Sequence, residues 1–285
     1  MTPTCRATLT SSARAAISGE NPPSKKARPL AAALALIVSV ALQVGVNYAN
    51  DYSDGIRGTD ADRVGPIRLV GSGLARPGAV KRAAFASFGV AGVAGLVLVI
   101  ITGHWWLLAL GAACVAAAWY YTGGKRPYGY AGLGELFVFV FFGLVAVCGT
   151  AYVQVGRVSA AAVLTGVGIG GLACAILVAN NLRDIRGDAL VGKRTLATRL
   201  GDARTRTLYL GLIGLAAAMI VFIGALVSWW ALLGLAGLAL ILPAVRIVSS
   251  GGRGPALITV LKTTGVAELV CSIGLTVGLV VSTLR

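Results

Sequence analysis

SAAAVLTGVGIGGLACAILVANNLRDIRGD, residues 159–188, carries no charged side chain before Arg183 and then closes on Asp184 and Asp188. A run of roughly 20 apolar residues is the length a helix needs to cross a bilayer. The stretch therefore reads as a membrane helix with two amides, Asn180 and Asn181, and two carboxylates gathered at its end. Working outward, similar apolar segments lie near 30–48, 83–101, 105–121, 133–152, 208–227, 229–247 and 255–284. With 159–180 they make about eight visible spans. The expected fold is all-α, a polytopic transmembrane helical bundle around a central cavity open to the cytoplasmic face. Alternating lipid-facing strands are absent, which excludes a barrel.

Composition agrees. The 285 residues are 57% hydrophobic and 12% charged, with mean hydropathy +0.84, where a soluble domain averages about 25% charged residues. The formal charge is +15, but the cations sit in loops between spans and no soluble domain presents them to nucleic acid. One set of loops holds Arg57, Arg63, Arg68, Arg76, Lys81 and Arg82, then Lys125 and Arg126. The same set continues with Arg183, Arg186, Lys193, Arg194, Arg199, Arg204 and Arg206, then Arg246, Arg253 and Lys262. The alternate loops hold only Arg157 and Arg285. The positive-inside rule makes the first set cytoplasmic. The five cysteines form no close pair, so neither a zinc site nor a disulfide framework is indicated.

Residues 1–29 break the pattern. If 30–48 ends inside, this segment starts outside, yet it carries Arg6, Arg14, Lys25, Lys26 and Arg28 against one acid, Glu20. The expectation is an atypical, disordered basic segment 1–29 standing where a further helix belongs, followed by one membrane domain over 30–285. A transit peptide is the alternative, since such segments are Arg- and Ser-rich and acid-poor.

Six of the ten acidic residues fall in two short stretches. The first, NYANDYSDGIRGTDAD, holds Asn47, Asn50, Asp51, Asp54, Asp60 and Asp62; the second holds Asn180, Asn181, Asp184 and Asp188. Residues at i, i+3, i+4 and i+7 share a helix face, so Asn47, Asn50, Asp51 and Asp54 converge, and the second set does nearly the same. Ala49-Asn50 aligns with Ala179-Asn180, Asp54 with Asp184, and Ile56-Arg57-Gly58 with Ile185-Arg186-Gly187. This short internal repeat implies two similar acidic surfaces facing one another across a cavity. Carboxylates crowded together cannot all stay ionised without compensation. Mg²⁺, bound through a few carboxylates and substrate phosphates, is the natural relief. A calcium loop fits less well, because the loop spacing with its closing Glu is absent.

Other loop residues suit an anionic substrate. Arg68 and the glycines of Gly71-Ser72-Gly73 follow the first cluster. The loop Tyr121-Thr122-Gly123-Gly124-Lys125-Arg126-Pro127-Tyr128-Gly129-Tyr130 offers tyrosines to flank an aromatic ring, with Lys125 and Arg126 to hold anionic groups. Lys193 and Arg194 follow the second cluster. Glu135 begins the fourth span, and Glu268 lies deep in the last one, where an ionisable group is costly.

At these residues the chain resembles the UbiA superfamily of intramembrane prenyltransferases, and within it the menaquinone-pathway branch acting on 1,4-dihydroxy-2-naphthoate. NYANDYSDGIRGTD, GPIRLVGSG, YTGGKRPYGYAGLGE and NNLRDIRGDALVGKRTLATRLG carry the resemblance, which runs from about residue 30 to the C-terminus. It implies a multi-pass enzyme of the cell (inner) membrane whose site faces the cytoplasm. Its partners would be polyprenyl diphosphate, 1,4-dihydroxy-2-naphthoate and membrane lipid, with Mg²⁺ as cofactor and no nucleic acid. The resemblance assigns Asp51, Asp54, Asp184 and Asp188 to the ions, with Asn47 and Asn180 in support. Arg57, Lys193 and Arg194 would stabilise the diphosphate. Asn50, Arg68, Tyr121, Lys125, Arg126, Tyr128 and Asn181 complete the expected substrate contacts. The implied reaction is alkylation of the naphthoate ring with loss of its carboxylate as carbon dioxide. Two departures stand out: Gly58 occupies the family's third Asp position, with Asp60 displaced, and the family usually shows nine spans, beginning one helix earlier. Rival functions are another aromatic or sugar acceptor, or an ion-coupled transporter. Transporters place their binding groups near the midplane, whereas these acids cluster at one face.

Overall fold

The computed structural model describes residues 28–59 and 67–283. The expectations placed on 1–27, Asp60, Asp62 and Arg63 lie outside these residues. Every regular element among the described residues is helical. The elements are α1 (Pro29–Arg57), α2 (Pro77–Thr102), α3 (Leu107–Tyr120), α4 (Gly134–Val138), α5 (Ala146–Val155), α6 (Ala160–Leu190), α7 (Leu196–Leu226), α8 (Leu235–Ala239), α9 (Leu242–Ser249) and α10 (Pro255–Thr283). A π-helical stretch, Phe139–Val145, joins α4 to α5, and a 3₁₀ turn, Trp229–Gly234, precedes α8.

Among the described residues six helices are long and apolar enough to cross a membrane: α1, α2, the continuous run Gly134–Val155, α6, α7 and α10. Their outer faces expose Leu36, Val93, Ile100, Phe222, Leu269 and Ile273, side chains that a lipid environment accepts without cost. The chain is thus a multi-pass membrane protein.

Two of the eight expected spans take other forms. The third becomes α3, whose 14 residues rise about 21 Å, short of a hydrocarbon core about 30 Å thick. The seventh is broken: Trp229–Ala239 and Leu242–Ser249 meet at a bend of 51°. Pro243 lies in the first turn of α9, where its missing N–H costs nothing, but it could not continue a helix arriving from α8.

Proline also starts α1, α2 and α10, where its fixed φ is pre-organised for a helix. Gly58 ends α1 in the left-handed conformation, φ 69°, and returns its N–H to the carbonyls of the last turn. That is a physical reason for glycine where the family's third Asp is expected.

The main core joins the later helices. Leu172, Ala175 and Val178 of α6 pack with Tyr209, Ile220 and Ile223 of α7, and with Leu257, Val260 and Cys271 of α10. The Tyr209 hydroxyl is buried and meets Thr264 Oγ1 at 2.7 Å, which satisfies both groups inside the bundle. The π stretch lies close on α6, where a methyl group added at Gly143 would sit 2.6 Å from both Gly166 O and Gly170 Cα. Small residues permit this approach. The earlier half packs more thinly, with Ala49, Ala84 and Phe88 between α1 and α2. Between the halves a large cavity opens.

Candidate active site

The cavity holds about 2190 Å³, well beyond the roughly 300–1,000 Å³ of a small-molecule site. Its length is walled by apolar side chains such as Leu98, Leu108, Phe137, Phe141, Phe142 and Val145. Its polar end is formed where α1 and α6 finish, with Asn47, Asn50, Asp51, Asp54, Asn180, Asn181, Asp184 and Asp188 in the lining. The two acidic clusters therefore face one space, as their repeated spacing predicts.

On α1 three of the four polar residues have different partners. Asp51 is 6% exposed and accepts the backbone N–H groups of Leu69 (2.8 Å) and Val70 (2.9 Å). It thereby fastens the returning chain against the helix. Asp54, equally buried, accepts the Tyr130 hydroxyl at 2.5 Å on Oδ1, and its Oδ2 lies 3.5 Å from Lys193 Nζ. Asn50 Oδ1 accepts Thr122 Oγ1 at 2.8 Å.

On α6 the pattern differs. Arg183 turns back on its own neighbour, with Nε 2.7 Å and Nη2 2.6 Å from the two Asp184 oxygens. Nη2 also reaches Asn180 Oδ1 at 2.9 Å. Asn181 points the other way and donates to buried Glu135 at 2.9 Å. Asp188 Oδ1 lies 4.0 Å from Lys193 Nζ. Its carbonyl accepts the Lys193 N–H at 2.8 Å across the turn made by Gly192, φ 74°.

The loop after α3 closes over this end. Arg57 donates to the carbonyls of Thr122 and Gly124 and lies 5.4 Å from the Tyr130 ring centroid. Lys193 Nζ lies 4.7 Å from the same centroid, and both distances are within cation–π reach. Tyr128 donates to the Ala117 carbonyl at 2.7 Å and stacks on Phe137 with centroids 3.9 Å apart. Burial raises the phenol pKa of Tyr121, helped by the negative charges of Glu135, Asp54 and Asp188. Burial, then the charge of Asp54, does the same for Tyr130. Both phenols stay protonated at neutral pH, and that of Tyr130 donates to Asp54.

Some expected residues stand elsewhere. Lys125 and Arg126 are exposed and outside the cavity lining, as is Arg194, whose backbone N–H is bonded to the Tyr130 carbonyl. Arg57 also lies outside the lining, spent on the loop carbonyls. Arg68, Tyr121, Tyr128 and Lys193 do line it. Tyr130, Arg183 and Thr122 belong to the site although none is among the expected contact residues. Tyr130 and Thr122 lie in the loop whose tyrosines are expected to flank an aromatic ring, and Arg183 shows as a cation directly beside an acid within the motif.

Among the described residues no three acidic, His or Cys side chains gather closely enough to hold a metal ion. The oxygen donors come instead as one or two carboxylates beside amides. That set suits a hard ion completed by phosphate oxygens, not an all-protein cage.

The UbiA prenyltransferase family profile matches residues 7–256. A 1,4-dihydroxy-2-naphthoate octaprenyltransferase of Mycobacterium tuberculosis is 57% identical over 239 residues, 84% of this chain and 81% of that protein. The protein of the same name from Mycobacterium leprae is 53% identical over 85% of this chain and 82% of its own length. That of Escherichia coli is 42% identical over 62% of this chain and 60% of its own. With two acidic helix ends meeting at the polar end of an apolar cavity, the chain belongs to the UbiA prenyltransferase family and is a membrane prenyltransferase.

Proposed function

We propose that the protein transfers a polyprenyl group from polyprenyl diphosphate to 1,4-dihydroxy-2-naphthoate, with release of diphosphate and loss of the carboxylate as carbon dioxide, to give the quinol, demethylmenaquinol, on the path to menaquinone. The observation that carries this reading is the single cavity with both acidic helix ends at one pole and an apolar interior beyond. The names of the relatives in three bacteria support the acceptor.

The residues divide the work. Asp54 and Asp188, with Asp184, Asn47 and Asn180, would hold Mg²⁺ at the polar pole. When bound, Mg²⁺ neutralises the diphosphate and helps it depart with the bonding electron pair. Lys193 and Arg68 line the same pole and stabilise the charge growing on that leaving group. Asp51 acts on the fold, holding Leu69 and Val70 beside the motif. The apolar walls take the prenyl tail and keep water from the allylic cation. The Tyr121–Tyr128–Phe137 group lines the cavity beside this pole and offers an aromatic ring a flat partner. Basic loops on the side of the acidic clusters support a site that faces the cytoplasm at the cell membrane.

The test is incubation of membranes carrying the protein with labelled polyprenyl diphosphates and a panel of aromatic acceptors. The expected result is label in a decarboxylated naphthoquinol. Label only in a phenolic acid or sugar product would replace the acceptor while leaving the prenyl transfer intact.

A further inference from the structure

We propose that Tyr130 is a positioning residue that joins the two acidic helix ends into one metal–diphosphate site. The inference rests on the reading of that pole given above.

Tyr130 stands in the 3₁₀ turn Tyr128–Ala131, on neither acidic helix. It reaches one of them and the loop after the other by three separate groups. Its hydroxyl donates to Asp54 Oδ1 at 2.5 Å. Its ring lies under Lys193 Nζ, 4.7 Å from the centroid. Its carbonyl accepts the Arg194 N–H at 3.0 Å, so the turn that aims Lys193 is fastened to the same residue.

The consequence concerns which Asp54 oxygen faces the cavity cation. With Oδ1 holding the phenol proton, Oδ2 is turned toward Lys193 at 3.5 Å. A charge-assisted bond of this kind is short and orienting. No other tyrosine of the loop substitutes for it: Tyr128 spends its hydroxyl on Ala117, and Tyr121 packs against Tyr128. Arg57, tied to Thr122 and Gly124, holds the Tyr130 ring from another side at 5.4 Å. Removing the hydroxyl alone should leave the ring and both cations in place while freeing Asp54 to rotate.

The test uses the full chain in lipid nanodiscs, with Mn²⁺ and inorganic diphosphate as probes and free Mn²⁺ read by electron paramagnetic resonance. Tyr130→Phe is expected to raise the half-saturating Mn²⁺ about tenfold, in line with loss of a hydrogen bond to a charged group. Tyr130→His, which keeps a ring and a donor, should recover part of that loss, and Tyr130→Leu none. Should Tyr130→Phe not accumulate as folded protein, the His and Leu variants make the same comparison. Asp54→Asn, measured in parallel, is expected to abolish Mn²⁺–diphosphate binding. If it does so while the Tyr130 variants bind like the unaltered protein, the role of Tyr130 is overturned and the site stands. If Asp54→Asn binds normally, the reading of the pole itself fails and the proposal falls with it.

Discussion

Arg183 and Asp184 are consecutive residues whose side chains close on each other, Nε and Nη2 meeting the two carboxylate oxygens at 2.7 and 2.6 Å. The Arg183 side chain has no exposed surface, while Asp184 keeps 17% of its own. The cation is thus an internal counter-charge, and the carboxylate retains an edge toward the cavity.

Breaking such a pair from one side leaves a buried charge uncompensated, at about 3–5 kcal/mol. Arg183→Met is therefore expected to lower thermal stability markedly, and Arg183→Met with Asp184→Asn to recover part of the loss. Melting of both single variants, Arg183→Met and Asp184→Asn, and of the double variant in one double-mutant cycle checks this. Strictly additive effects would show that the pair is not coupled.

Asp51 and Asp54 should separate by phenotype. Asp51 holds two backbone N–H groups, and a buried donor left unpaired costs about 1–3 kcal/mol. Asp51→Ala is expected to melt at lower temperature and to be cleaved sooner by protease after α1, while keeping measurable transfer at low temperature. Asp54→Asn should keep its stability and lose transfer. The reverse pattern would exchange the two roles.

Lys193 bridges helix ends that the chain separates by more than a hundred residues, at 3.5 Å from Asp54 and 4.0 Å from Asp188. Lys193→Ala is expected to cut kcat/KM for the polyprenyl diphosphate about 100-fold, with the KM for the aromatic acceptor little changed. Lys193→Arg should retain more. Steady-state kinetics with each substrate varied in turn decides it, and equal losses for both substrates would speak against a leaving-group role.

Gly143 tests the packing beneath the site. An added methyl group would sit 2.6 Å from Gly166 O and Gly170 Cα, backbone atoms that cannot step aside. Overpacking typically costs about 1–3 kcal/mol, so Gly143→Ala should lower the melting temperature by several degrees. Gly149→Ala, on the same run and with open space around it, is the control. Equal melting of both variants would mean that the π stretch does not depend on this contact.

The helical bundle and the meeting of the two motifs were legible because both follow from local periodicity. Apolar length marks the spans, and i, i+3, i+4, i+7 spacing puts Asn50 and Asp54, or Asn180 and Asp184, on one face. What the pattern cannot reveal depends on neighbours. The residues of α3 are as apolar as any span, and only packing shows the helix to end after 14 residues. The bend before α9 needs Pro243 in three dimensions. The division of labour between Asp51 and Asp54 depends on which loop returns to each carboxylate, and Tyr130 enters the site only because the 3₁₀ turn folds over α1. Lys125, Arg126 and Arg194 have the charge that the loop pattern points to, yet they are exposed and outside the cavity lining.

On the proposed reading, the two acidic helix ends make one Mg²⁺-dependent diphosphate site. Its most direct test is the Mg²⁺ titration of prenyl transfer to 1,4-dihydroxy-2-naphthoate after EDTA treatment, for the unaltered protein, Asp54→Ala and Asp184→Ala. The expected result is no product without added Mg²⁺, recovery on its return, and losses of about 100-fold or more in each variant, one from either helix. Full activity in EDTA, or in either variant, would contradict it.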